Sequence, residues 1–390
     1  MKIQLKKYNL FSIGQQSFLL GTFFLASALP ISGIFFLISI CISFKENKSK
    51  IFKDNWNYPL FLATGLIIFG ALNNTNFNHQ NIIHEIEKSN IIFGIFNWIP
   101  LFFSFIAFQA YLKNKSQRVL FGKYLIAGSI PVLISCILQY WFKVYGPFDT
   151  LNGLIIWFQK PIHGNSGVSG LFSNQNYAGF WLSTIWPFSI FFFKNINKSK
   201  TAKIVCLIIS LIIPYLAILT NSRNSLVSLI ISITILFKLK FFIILLILIS
   251  LLLIIYFSLI NLSIIEGFLP NKFLPIALIE KIFSLEFKSF VNFPRFEIWN
   301  KSIDLIFQKP FLGWGASTFA IVYILEGGIY SPQHTHNIIL ELAYNFGIPL
   351  ALIISTFSIC ILIKGWQILL KNKKDLLTIN TYWLAALTTV

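Results

Sequence analysis

The chain has 390 residues, 56% of them hydrophobic and only 11% charged, with a formal net charge of +18. A soluble domain carries about 25% charged residues, so a soluble globular enzyme and a disordered chain are both excluded, and continuous apolar runs such as 241–260 exclude the alternating segments of a β-barrel. The lysines stand in short clusters between apolar runs, as cytoplasmic loops facing anionic headgroups do, so the charge speaks for membrane lipids and against nucleic acid.

A spanning helix needs about 20 mostly apolar residues. In chain order, the runs 12–29, 31–44, 57–72, 91–112, 120–142, 176–193, 204–220, 225–237, 241–260, 337–363 and 377–390 predict an all-α polytopic membrane protein with about 11–12 transmembrane helices. Pro30 splits the first two runs into a hairpin or a kinked pair. Met1–Lys7 reads as the cytoplasmic start of the first helix, with no cleavable signal peptide. The last run reaches Val390 without a polar tail, which suggests a chain cut short at its C-terminus.

Basic clusters occur at Lys2/Lys6/Lys7, Lys45/Lys48/Lys50/Lys53, Lys113/Lys115/Arg118/Lys123, Lys194/Lys198/Lys200/Lys203, Lys238/Lys240 and Lys364/Lys371/Lys373/Lys374. With these spans all six fall on one side, which the positive-inside rule makes the cytoplasm. Segments 73–90, 143–175, 221–224 and 261–336 then face outward. The last is a large outward-facing loop, of a length uncommon in loops without a function. The helical pattern of Arg295–Gln308, ahead of Pro310, predicts short amphipathic helices lying on the membrane surface. The whole of 1–390 reads as a single integral membrane domain. Cys41, Cys136, Cys206 and Cys360 lie in apolar runs without metal-ligand or Cys-x-x-Cys spacing, and read as inert thiols.

Ionisable groups at a membrane are costly and mark function. Arginine is scarce: Arg118 sits in a basic cytoplasmic loop, whereas Arg223 and Arg295 face outward. Arg223 lies in Asn-Ser-Arg-Asn-Ser (221–225), a tight turn between two spans, and Arg295 in Pro-Arg-Phe-Glu-Ile-Trp (294–299). The guanidinium fork suits phosphate oxygens. A snorkelling anchor at a helix end is the alternative. His334 and His336 form His-Thr-His-Asn (334–337) at the outer mouth of a long span, where a histidine serves as a general base. With Glu341 they make too poor a set for zinc, so no metal and no cofactor are expected. His79 and His84 read as solvated, and His163, in Pro-Ile-His-Gly-Asn, as structural by default or as lining an acceptor site. In Gly-Leu-Phe-Ser-Asn-Gln-Asn-Tyr-Ala-Gly (170–179), Asn174 and Asn176 are placed to cap a helix or to bind sugar hydroxyls. Trp314, between Gly313 and Gly315, is an interfacial anchor or a sugar-stacking platform. Asn174, Arg223, Arg295 and His336 all come out on one side of the membrane, which suggests group transfer from a lipid phosphate.

The ordered set Gly-Leu-Phe-Ser-Asn-Gln-Asn-Tyr-Ala, Asn-Ser-Arg-Asn-Ser, Arg-Phe-Glu-Ile-Trp with Pro-Phe-Leu-Gly-Trp-Gly, and His-Thr-His-Asn-Ile-Ile-Leu-Glu-Leu resembles the O-antigen ligase/polymerase family over residues 170–363. The family's His-Asn, Gly, Gly spacing is met by His336, Asn337 and Gly347, while Leu350 stands at the second glycine. The resemblance implies a GT-C-like membrane glycosyltransferase of the bacterial inner membrane with a periplasmic active site. Its donor would be an undecaprenyl-diphosphate-linked glycan, and its acceptor lipid A core or, in a polymerase, another lipid-linked glycan. It also implies that Arg223 and Arg295 hold the diphosphate, that His336 is the base, and that His334 and Asn337 stand beside it on the acceptor side. A bicarbonate-type transporter would instead put ionisable groups near the bilayer midplane, and an assembly scaffold would tolerate loss of Arg223 and His336.

Overall fold

The computed structural model describes residues 9–76, 88–164, 166–196, 199–237, 243, 294–329, 332–371 and 378–389. His79, His84, nearly all of the run 241–260 and the outer-loop residues up to 293 lie outside them. The described residues fall into two compact units, one drawn from within 1–14, 39–110 and 285–363, the other from within 15–38, 111–284 and 364–390. The helices are α1 (Leu10–Phe24), α2 (Leu29–Lys53), α3 (Tyr58–Asn76), α4 (Lys88–Phe93), α5 (Ile99–Phe108) and α6 (Lys115–Trp141). After a short hairpin of β1 (Phe148–Thr150) and β2 (Ile155–Trp157) come α7 (Gln175–Asn195), α8 (Lys200–Leu219) and α9 (Arg223–Phe237). The chain continues with α10 (Pro294–Gln308), α11 (Phe319–Leu325), α12 (Ile338–Phe346), α13 (Ile348–Lys371) and α14 (Ile379–Thr388).

Among the described residues five helices are long and apolar enough to cross a membrane: Leu29–Lys53, Ile91–Tyr111, Lys115–Trp141, Lys200–Leu219 and Ile348–Lys371, with Arg223–Phe237 shorter. The protein is an all-α polytopic membrane protein. Helix starts are set by polar caps. The Asn114 side chain accepts the Gln117 N–H at 2.9 Å while the Gln117 side chain accepts the Asn114 N–H at 3.2 Å, a reciprocal box that opens α6. Ser199 opens α8 by accepting the Ala202 N–H at 3.1 Å.

In the second unit α6, α7 and α8 pack around Val132, Leu182, Ile185, Phe188, Ile213 and Leu216. The Trp186 indole N–H donates to the Ser210 carbonyl at 2.9 Å and ties α7 to α8. In the first unit Ile67, Leu305, Phe319, Val322, Tyr344 and Leu350 form the centre of the core, and the Ser43 hydroxyl of α2 donates to the Ala107 carbonyl of α5 at 2.7 Å.

Three boundaries differ from the sequence expectation. The first break falls at residues 25–28, ahead of Pro30, which sits in the first turn of α2 where a missing N–H costs nothing. The run 91–112 contains a short 3₁₀ stretch, Gly94–Asn97, before Pro100 starts α5. The run 337–363 is two helices, divided at Gly347. There φ is +92°, and a Cβ would overlap the Phe311 carbonyl. The corner is stitched to residues 310–315: Ile348 N–H donates to Pro310 O at 2.7 Å, Trp314 N–H to Tyr344 O at 2.8 Å and Gly315 N–H to Asn345 O at 3.0 Å. Gly347→Ala is therefore expected to cost about 3 kcal/mol or more. Thermal unfolding of the detergent-solubilised variant measures it, and an unchanged Tm would show that the corner has room to adapt.

Candidate functional site

Two parts are described separately, one in each unit. In the first unit α10 carries Arg295, exposed, in its first turn. One turn on, the Trp299 indole N–H donates to the Thr335 carbonyl at 3.0 Å, which brings the His-Thr-His-Asn segment alongside α10. Thr335 is fully buried and anchors the segment. Its amide donates to Glu341 Oε2 at 2.9 Å and its hydroxyl to the Asn337 carbonyl at 2.8 Å. Asn337 caps α12, its Oδ1 accepting the N–H groups of Ile339 at 3.0 Å and Leu340 at 3.3 Å. The other Glu341 oxygen accepts from Asn345 Nδ2 at 2.9 Å.

With Thr335 pinned inward, the flanking histidines project outward, and both are exposed. His336 has φ +55°, a left-handed conformation that histidine visits more readily than most residues. Its N–H donates to His334 Nδ1 at 3.2 Å, and the two rings meet edge to face at 4.2 Å. That bond makes His334 Nδ1 an acceptor, so a neutral His334 carries its proton on Nε2. Partial burial, then His334 and Arg295, hold the His336 pKa below its ordinary 6.5, with Glu341 opposing. His336 is thus neutral at physiological pH, the state a base needs. Arg295 and His336 share one electrostatic neighbourhood.

Trp314 is 8% exposed, with its indole N–H donating to the Leu305 carbonyl at 2.8 Å. It stacks on Tyr344 at 6.4 Å, and Lys309 Nζ lies 4.1 Å over its ring. Burial lowers the Lys309 pKa. This burial makes Trp314 a packing residue of the unit and leaves little ring face for a sugar.

In the second unit Asn174 caps α7 by accepting the Asn176 N–H at 2.8 Å, while Asn176 is exposed in the first turn. The two expectations for this pair therefore divide, one residue capping and the other open to a ligand. Gly179 of α7 packs where a Cβ would crowd Thr220, Ser222 and Ser225, and the Ser225 hydroxyl donates to the Gly179 carbonyl at 3.1 Å. The Gln175 side chain accepts the Gly167 N–H, and Asn221 Nδ2 donates to the Ser166 carbonyl at 3.3 Å. The motifs 170–179 and 221–225, 42 positions apart at their nearest residues, Gly179 and Asn221, are thereby joined. Arg223, half-buried, is the first residue of α9. His163 is exposed, and its backbone N–H donates to Ser166 Oγ at 2.8 Å.

Glu341 escaped the sequence reading except as a poor metal ligand. The available signal was an acid in the first turn of a helix. Its role is to position the histidine segment. Glu341→Ala leaves the buried Thr335 N–H without its acceptor, an expected cost of about 1–3 kcal/mol. Tm of the variant reads this directly. A Tm equal to wild type would mean that the segment is held by Thr335 and Trp299 alone.

A family described as O-antigen ligase matches residues 180–355. A ComP-specific O-oligosaccharyltransferase from Acinetobacter baylyi is 25% identical over 372 residues, covering 89% of this chain and 64% of that protein, so the chain spans less than two thirds of its relative's length. The matched stretch contains Arg223, Arg295, Trp314, His334, His336 and Asn337 and begins just after Asn174 and Asn176. The family match over the residues that carry the site, with this relative beside it, supports an O-antigen ligase-family protein.

Proposed function

We propose that this protein transfers a glycan from an undecaprenyl-diphosphate carrier to an acceptor hydroxyl at the periplasmic face of the inner membrane. We read it as a metal-independent, inverting glycosyltransferase of the ligase type, with lipid A core as acceptor. The O-antigen ligase family and the oligosaccharyltransferase relative support lipid-linked glycan transfer as the reaction class. One observation carries the assignment of roles: an exposed histidine at a left-handed corner, kept neutral by partial burial, by His334 and by Arg295.

His336 takes the proton of the acceptor hydroxyl as the oxygen attacks the anomeric carbon. The bond from that carbon to the diphosphate oxygen breaks, and the diphosphate leaves with the electron pair. Arg295 meets the developing charge, which is where electrostatic stabilisation acts most strongly. Arg223, by its motif alone, is assigned the second diphosphate contact. His334 orients its neighbour, and Asn337 and Asn176 offer polar groups to the acceptor and the glycan.

The test is a transfer assay with purified protein and a labelled undecaprenyl-diphosphate glycan, run with lipid A core, with a candidate acceptor protein and with neither. Label on lipid A core supports the ligase. Longer lipid-linked chains without acceptor would mean a polymerase. Label on protein is the second reading, favoured by the relative's name as an oligosaccharyltransferase specific for ComP. No transfer in any tube, with donor bound and intact, would overturn the reading.

A further inference from the structure

An open groove of about 800 Å³ runs along the first unit between the start of α3 and the middle of α13. Trp56 and Tyr58 stand at its α3 end, Leu62 follows, and Leu352, Phe357 and Cys360 form the facing wall. The wall from Leu352 to Cys360 is about 12 Å long at 1.5 Å per residue. Tyr58, Leu62 and Leu352 are each more than half exposed, so the groove is an uncovered apolar surface. Its aromatic end is fixed. The Asp54 carboxylate accepts the Trp56 N–H at 3.0 Å, and the Trp56 ring meets Phe357 at 6.3 Å.

The chain enters this groove from the end of α2, which carries Lys45, Lys48, Lys50 and Lys53, all exposed. Glu46 and Asp54 are the acids of that stretch, and Asp54 is engaged as the cap just described. Tryptophan and tyrosine prefer the headgroup level of a bilayer, and lysines beside a spanning helix attract anionic lipid at about 1 kcal/mol each. The order is therefore ammonium groups, then aromatic rings, then an apolar slot.

We propose that this groove binds one acyl chain of an anionic phospholipid whose phosphate is met by Lys50 and Lys53. The site is independent of glycan transfer and uses none of the residues assigned to it.

The test uses phosphatidylglycerol or phosphatidylcholine brominated in the acyl chains, added to the purified full chain in detergent. Bromine quenches a nearby indole, and the Trp56 contribution is the difference between wild type and Trp56→Phe. The Trp56 signal should be quenched at a severalfold lower mole fraction of phosphatidylglycerol than of phosphatidylcholine. Lys50→Gln with Lys53→Gln, two surface changes, should reduce that preference by about fivefold or more. Equal quenching by both lipids, or a preference that survives the lysine changes, would overturn the proposal. So would displacement by undecaprenyl phosphate at a lower mole fraction than by unlabelled phosphatidylglycerol, which would assign the groove to a polyprenyl chain.

Discussion

Replacing His336 by alanine is expected to lower glycan transfer by about 10²–10⁴-fold, the range that a positioned general base supplies. The fold should survive, because the side chain is exposed and the corner is held by Thr335, Asn337 and Glu341. The pH profile gives a sharper test than the rate. The His336 pKa is below 6.5 in the folded protein, so the neutral, proton-accepting ring persists below pH 6.5. Activity should fall only when the pH drops through that lowered value. Stability has the same sign: a depressed folded pKa favours the fold above pH 6.5, and the benefit is lost as pH falls through the folded value. A variant that keeps wild-type activity, or a wild-type acid limb above pH 6.5, would remove His336 from the base role.

Arg295→Gln is expected to lose about 10²–10³-fold in transfer if the guanidinium stabilises the departing diphosphate. The same change removes one of the charges that depress His336, so the acid limb of the profile should move up toward pH 6.5. Arg295→Lys retains charge without the planar fork. It should hold the limb near its wild-type place while recovering only part of the rate. A residue that merely anchored a helix end would leave both the limb and the rate within a few-fold of wild type, and that result would sink the assignment.

Much of this was legible in the sequence, because it depends on short-range chemistry. Long apolar runs became α6, α8 and α13, and Asn174, ahead of a run, became the cap of α7, whereas the capping of α12 by Asn337, read only as an acceptor-side residue, was missed. The hairpin β1–β2 was legible and passed over. Asn152-Gly153 lies in the loop between Phe-Asp-Thr and Ile-Ile-Trp, with φ of +55° and +82°, and Asn-Gly is a strong hairpin signal. The division of 337–363 was hidden for a different reason. Gly347 was read as part of a motif, and hydropathy does not register a single left-handed residue. Trp314 was placed at the surface because its neighbouring glycines suggested ligand approach. Gly313 instead admits backbone, since a Cβ there would overlap the Tyr344 carbonyl, and Gly315 lies against the Ile91 side chain. Glu341 was missed because its partners, an amide six residues earlier and a side chain four residues later, meet only once α12 has formed.

The stitching between 310–315 and 344–348 has a mechanical meaning. α10 runs from Arg295 to the turn at Pro310, α12 runs from the histidines to that same place, and Trp299 and Thr335 join the two at the end where they start. The result is a frame with crossbars at both ends. In such a frame the backbone spacing of cation and base does not depend on either residue's own rotamer. It is set by the lengths of the sides, as the span of a caliper is set by its pivot, and the pivot here is a glycine eleven positions from the histidine whose reach it governs.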